Sequence, residues 1–139
     1  MPHTNGTEPL GDDELIYRRV LVSHDLFNPD TGHLSPEAFR PRKYDLTGTS
    51  VDRAKYRSVE EAAQGRNPKG YYVAVFRVGD LRREGLDVVP RPDPDNPGHA
   101  EIPALNYADR TSDAVEAWKV LLARKLSLRV EGPFLPSQE

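Results

Sequence analysis

The run "GYYVAVFRV" (residues 70–78) limits the fold more than any other stretch of this chain. In an extended conformation Tyr71, Val73 and Val75 fall on one side, and Tyr72, Ala74, Phe76 and Val78 on the other. Aromatic and β-branched residues on both sides favour a strand that is covered on both faces and flanked by neighbours. The rest of the chain must therefore supply strands beside it and material above and below it. With 139 residues, 37% of them hydrophobic and 29% charged, there is room for one domain with a modest core.

Further elements follow from turn and capping chemistry. Ile16, Val20 and Val22 in "ELIYRRVLVS" suit a strand, and "NPDTG" (28–32) suits a turn with Gly32 at positive φ. "LSPEAF" predicts a short helix with Ser35 as N-cap and Pro36 at its first position, stopped by Pro41. "YDLTGTSVD" enters a short strand after Gly48. "SVEEAAQG" has the Ser58/Glu61 spacing of a capping box, with Gly65 placed to end the helix. "GDLRREG" predicts one or two helical turns capped by Asp80 and ended by Gly85. "LDVV" and "HAEIPAL" read as strands, the second at a sheet edge because Pro103 cannot donate to a ladder. In "TSDAVEAWKVLLARKL", capped by Thr111 or Ser112, Val115, Trp118, Leu122 and Leu126 recur at helical steps, and "LSLRV" offers a last strand.

Together these predict an α+β fold: a small mixed sheet, short helices and one long C-terminal helix packed on one face. Residues 1–14 read as a flexible N-terminal arm, 15–131 as a single domain and 132–139 as a C-terminal tail.

Composition excludes several classes. A net charge of −3 is unlike a protein that coats nucleic acid or a basic membrane-surface protein. There is no cysteine, hence no disulfide framework, thiolate zinc site or thiol catalysis. No apolar run approaches the roughly 20 residues that span a bilayer, and the polar N-terminus has no signal-peptide pattern. A cytoplasmic setting is the expectation.

The charge distribution is the most informative asymmetry. Residues 40–69 carry eight Lys or Arg and four acids, a net +4 in a chain that totals −3. This is the pattern of a face for a phosphate-bearing ligand or an acidic partner, with tyrosines able to stack on bases; charges scattered over a solvated surface are the bland alternative. The second feature is His99, at the end of the proline-rich "VPRPDPDNPGH" (89–99). A stiff loop loses little entropy when it holds a ligand, but the same imidazole is equally suited to bonding a loop carbonyl. The expected binding face is anchored by Arg40, Arg53 and His99, with Tyr44 and Ser50 beside them. His24 and His33 with Asp25 and Asp30 lack metal-ligand spacing, and no metal site is expected. No P-loop, dinucleotide fingerprint, nucleophile elbow or assignable Ser-His-Asp set is present.

Three pieces, "YRRV" (17–20), "GHLSPEAFR" with "GTSVDRA", and "NPGHA" (96–100), resemble a family of small uncharacterised bacterial proteins with the pattern R-V, G-x-[IL]-S-x-x-A-F, S-V-x-R-A and N-P-x-H-A. That resemblance implies a bacterial, cytoplasmic setting and no mechanism. Arg19 (or Arg18), Ser50 and Glu101 also resemble, in order, the Arg-Ser-Glu set of ADP-ribosyltransferases, which would imply NAD as cofactor and those residues as catalytic. The functional expectation is a binding module for a protein partner or a nucleotide-like ligand without a cofactor. The alternatives are the NAD-using enzyme and a toxin or immunity-type protein acting with a neighbouring-gene partner.

Overall fold

A computed structural model describes residues 6–23 and 25–136. Its strands are β1 (Leu15–Leu21), β2 (Phe27–Asn28), β3 (His33–Leu34), β4 (Thr49–Arg53), β5 (Tyr71–Arg77), β6 (Val89–Pro90), β7 (His99–Ile102) and β8 (Arg129–Phe134). Six form one sheet in the order β6-β7-β4-β1-β5-β8, and β2 and β3 form a separate hairpin. The fold is α+β. The sheet is not mixed, however: every strand pair is antiparallel. Antiparallel pairs accept the short turns and irregular loops of this chain, whereas a parallel pair needs a longer crossover, usually helical.

β5 lies within the apolar run at residues 70–78. It is paired with β1 on one side and β8 on the other, and its first six residues are buried. β7 is not an edge strand: β4 and the two-residue β6 flank it, and Pro103 lies just past its end. The prolines within strands lie on the two edges, Pro90 in β6 and Pro133 in β8.

Helices α1 (Val59–Ala62), α2 (Val78–Arg83) and α3 (Asp113–Leu121) are short. Ser58 and Glu61 close a reciprocal capping box at α1. Gly65 does not cap it through positive φ; it lies against the Tyr71 ring, where a Cβ would collide with the ring carbons. At α2 the N-cap is Arg77, without a side-chain bond, and Asp80 sits inside the first turn, accepting from Arg77 and Arg83. Ser35 caps a 3-10 turn over Pro36–Phe39. The expected long helix is shorter than predicted: α3 is capped by Ser112, and Leu122–Leu126 continue it in π geometry. Val115, Leu122, Ala123 and Leu126 join the main core with Ile16, Val20, Phe39 and Phe76. Lys119, also buried, holds α3 to the 3-10 turn by pairing with Glu37 at 3.1 Å.

Two boundaries differ from expectation. Residues 6–14 are not a loose arm: Leu10 is in the core, and Glu8 and Glu14 pair with Arg53. β8 runs three residues past the predicted end of the domain at 131, because Phe134 pairs with Tyr71.

What matters for function is a split in the sheet. β1 and β4 pair only at Ile16↔Arg53 and Tyr17↔Asp52, while β1 stays paired with β5 to Leu21 and β4 with β7 to Thr49. Beyond Tyr17 the two halves part, and a buried carbonyl on the rim needs another donor. Arg18 supplies it: its Nη1 donates to the Ser50 carbonyl at 2.9 Å.

Candidate functional site

Strand alternation sets the rim residues. Ile16, Arg18 and Val20 face the main core with Thr49, Val51 and Arg53, all buried except Arg18, which is half-buried. Tyr17 and Arg19, with Ser50 and Asp52, face the opposite side. His99 and Glu101 lie there too, since Asp52 pairs with His99 and Ser50 with Glu101.

Two hollows meet at the split. One, about 160 Å³, is lined by Arg18, Arg19, Ser50, Asp52, Arg57, Asn96 and His99 among others. The next, about 260 Å³, shares Arg18, Arg19 and Ser50 with the first and adds Leu26, Arg42, Tyr44, Asp45 and Tyr71. A third, about 480 Å³, shares Leu26, Arg42 and Tyr44 with the second and reaches Arg40 and Lys43. Shared lining residues run from each hollow to the next, and the three together are called the trough. A larger hollow of about 820 Å³ lies elsewhere, between the β2-β3 hairpin and β8. Its polar lining is His33, Arg124, Ser127 and Arg129, the last already held by Glu131 at 3.0 Å.

The trough's arginines differ in how fully they are used. Arg19 donates to the Gln64 carbonyl and lies over the Tyr71 ring, 4.4 Å from its centroid. Among the described residues Arg18 has one bond, to Ser50, and a buried Nε with no hydrogen-bond partner. Burial lowers the Arg18 pKa from its ordinary value, with the charge of Asp45 opposing that shift. Asp45 is itself buried and accepts from the Arg42 amide at 2.7 Å.

His99 is held at both ring nitrogens: Nδ1 lies 2.7 Å from the Arg91 carbonyl and Nε2 lies 3.0 Å from Ser50 Oγ. A carbonyl only accepts, so Nδ1 carries the hydrogen; in the neutral ring Nε2 then accepts from the Ser50 hydroxyl. The Asp93 carboxylate stands 3.9 Å from Nδ1. The stiff loop is braced by Asn96, which donates to Asp52 at 2.7 Å and accepts from the Gly98 amide. Glu101 accepts from Thr47 at 2.6 Å and stands 3.6 Å from Arg91.

The predicted site residues thus divide. Ser50, His99, Tyr44 and Arg40 line the trough, at successive points along it. Arg53 does not: it is fully buried on the opposite side of the sheet from His99, and its place as an anchor is withdrawn. Valine at 51 and arginine at 53 share a strand face, so burial of Val51 was the sequence signal for this. Arg42 and Arg57 are site residues that the sequence reading did not single out, and Arg18 entered it only as the alternative to Arg19. The contact between Ser50 and His99, 49 positions apart, left no local signal. His33 belongs to the hairpin, His3 and His24 lie outside the described residues, and among the described residues no group of three His, Asp or Glu is placed to hold a metal. No helix of the described residues is long and apolar enough to cross a membrane. No protein-family model, curated protein or solved structure matches the chain.

Proposed function

We propose that this is a small cytoplasmic protein that binds a phosphate-bearing, nucleotide-like ligand in the trough between β1 and β4. The observation that carries the reading is Arg18: a half-buried guanidinium on the trough wall with an unused buried Nε, between hollows that also hold Arg19, Arg42 and Arg57. An unpaired buried donor is costly, and an anion that reaches the guanidinium relieves part of that cost through charge-assisted bonds. Tyr44, 72% exposed at the outer end, offers a stacking surface for a base. Titration with pyrophosphate, ADP and NAD by calorimetry tests it. Binding of at least one, weakened ten-fold or more by Arg18→Gln or Arg19→Gln and unchanged by Arg124→Gln in the distant hollow, is the expected result. Silence with all three probes removes the reading.

A second reading, an NAD-consuming transferase, has one specific support. Arg19, Ser50 and Glu101 lie on three neighbouring strands and the same face, with Ser50 directly opposite Glu101. Release of nicotinamide from NAD, abolished by Glu101→Gln, is what this reading requires. NAD that binds but stays intact, with cell extract present as a source of acceptors, leaves the binding module alone.

A further inference from the structure

We infer that Ser50 is a nucleophile activated by His99, and that the trough hydrolyses esters carrying a negative charge. The reading rests on three aligned groups. Ser50 Oγ lies 3.0 Å from His99 Nε2, within the reach expected of a nucleophile and its base. The far ring nitrogen is fixed by the Arg91 carbonyl at 2.7 Å, which holds the tautomer with a free lone pair on Nε2. Asp93, 3.9 Å from Nδ1, supplies negative charge for the imidazolium that forms. A backbone carbonyl and a nearby carboxylate here take the orienting part that a buried aspartate plays in serine hydrolases.

The position suits such a role. Ser50 is half-buried rather than sealed, and it lines both inner hollows of the trough. Arg19, on the same face of the sheet as Ser50, and Arg18, which reaches the Ser50 carbonyl from the other face, line the same two hollows and provide positive charge for the anionic portion of a substrate. His99 sits at the foot of a loop braced by Asn96, so the base is held by a rigid mount.

In the first step the Ser50 oxygen attacks the acyl carbon as its proton passes to His99 Nε2. The bond to the alcohol oxygen breaks, and that oxygen leaves with the proton from Nε2. In the second step water gives a proton to Nε2 and its oxygen attacks the Ser50 ester. The Ser50 oxygen recovers the proton as it leaves, and a carboxylic acid is released. One water is consumed, one ester is split and nothing is oxidised.

The inference goes beyond ligand binding and is separable from it by the choice of probe. Diisopropyl fluorophosphate is neutral and reacts with activated serines: the oxygen–phosphorus bond forms, fluoride leaves and the hydroxyl proton goes to the base. Intact-mass measurement of the wild-type chain should show one adduct, mapped to Ser50 by peptide sequencing. Ser50→Ala should show none. His99→Ala should label at least about 100-fold more slowly, the lower range of general-base contributions. Added imidazole should restore much of that rate, which a merely structural histidine would not allow. Absence of an adduct on the folded wild type, an adduct elsewhere, or labelling of His99→Ala at the wild-type rate overturns the inference. None of these outcomes bears on calorimetric binding of ADP or pyrophosphate.

Discussion

Arg53 and Arg18 stand on neighbouring strands and face the same side of the sheet, yet they sit in opposite electrostatic states. Arg53 is entirely buried and saturated: it grips Glu14 with two bonds of 2.9 and 2.8 Å, donates to the Gly6 and Glu8 carbonyls, and stands 3.2 Å from the Glu8 carboxylate. Arg18 makes one bond among the described residues and keeps a buried Nε without a partner there. A guanidinium whose donors are met by the chain itself is fastening that chain together. One left short is available to something the chain does not contain. The difference arises where β1 and β4 stop pairing: Arg53 lies at the joined end of the two strands and Arg18 just inside the split.

Replacing each arginine by methionine breaks or sharpens this contrast most strongly. Arg53→Met leaves Glu14 partly buried without its cation and Glu8 with Lys55 alone, and breaking such a buried pair typically costs roughly 3–5 kcal/mol. Arg18→Met leaves the Ser50 carbonyl without its donor but also removes a poorly satisfied charge, so the net cost should be about 1 kcal/mol, well short of the Arg53 loss. Urea unfolding measures both. Equal losses would mean that Arg18 is as structural as Arg53, and would take away the main support for the trough as a binding site.

How far the sequence foretold this contrast depends on the range of the interaction. β5 and the caps at Ser35, Ser58 and Ser112 were readable because they depend on alternation or on partners at most three residues apart. The +4 central segment was visible, but net charge does not say which arginines are consumed internally. Arg53 is consumed by Glu8 and Glu14, which belong to a segment that looked too polar to pack. The split itself is an interruption of pairing between strands 28 positions apart, and no residue type encodes it. The wholly antiparallel sheet followed from the same gap, since strand direction is set by tertiary neighbours.

The Arg53 side of the comparison also makes a pH prediction. Burial pushes the Glu8 carboxyl up, but hydrogen bonds from Lys55, Tyr56 and its own backbone, with the charge of Arg53, outweigh that and hold it at about 2. The Lys55 contact is 2.5 Å and the Tyr56 hydroxyl donates at 2.6 Å. A carboxyl lowered on folding adds stability that is present above its unfolded value of about 4.5 and is lost as the pH falls toward 2. Glu8→Gln should therefore cost roughly 2 kcal/mol at neutral pH. The gap from wild type should close progressively below pH 4.5. Urea midpoints across that range test it, and a constant gap would mean that Glu8 contributes packing rather than charge.

The smallest effect probes the other rim, where α1 holds Arg19 through the Gln64 carbonyl. Ser58 and Glu61 close the capping box with bonds of 2.9 and 3.1 Å, so Ser58→Ala removes one side chain that meets an otherwise free helical amide. The expected cost is about 1 kcal/mol. It should fall locally, as faster exchange of the Ala62 and Ala63 amides, which donate into this turn. Among the described residues Ser58 bonds Glu61 while Glu8 is held by Arg53, Lys55 and Tyr56, so the Ser58→Ala and Glu8→Gln costs should add within about 0.5 kcal/mol. Additivity would show that the Arg53 cluster and the α1 rim are energetically separate. A larger coupling would mean that loosening α1 reaches the Arg53 cluster, and the two arginines would then have to be read as one network.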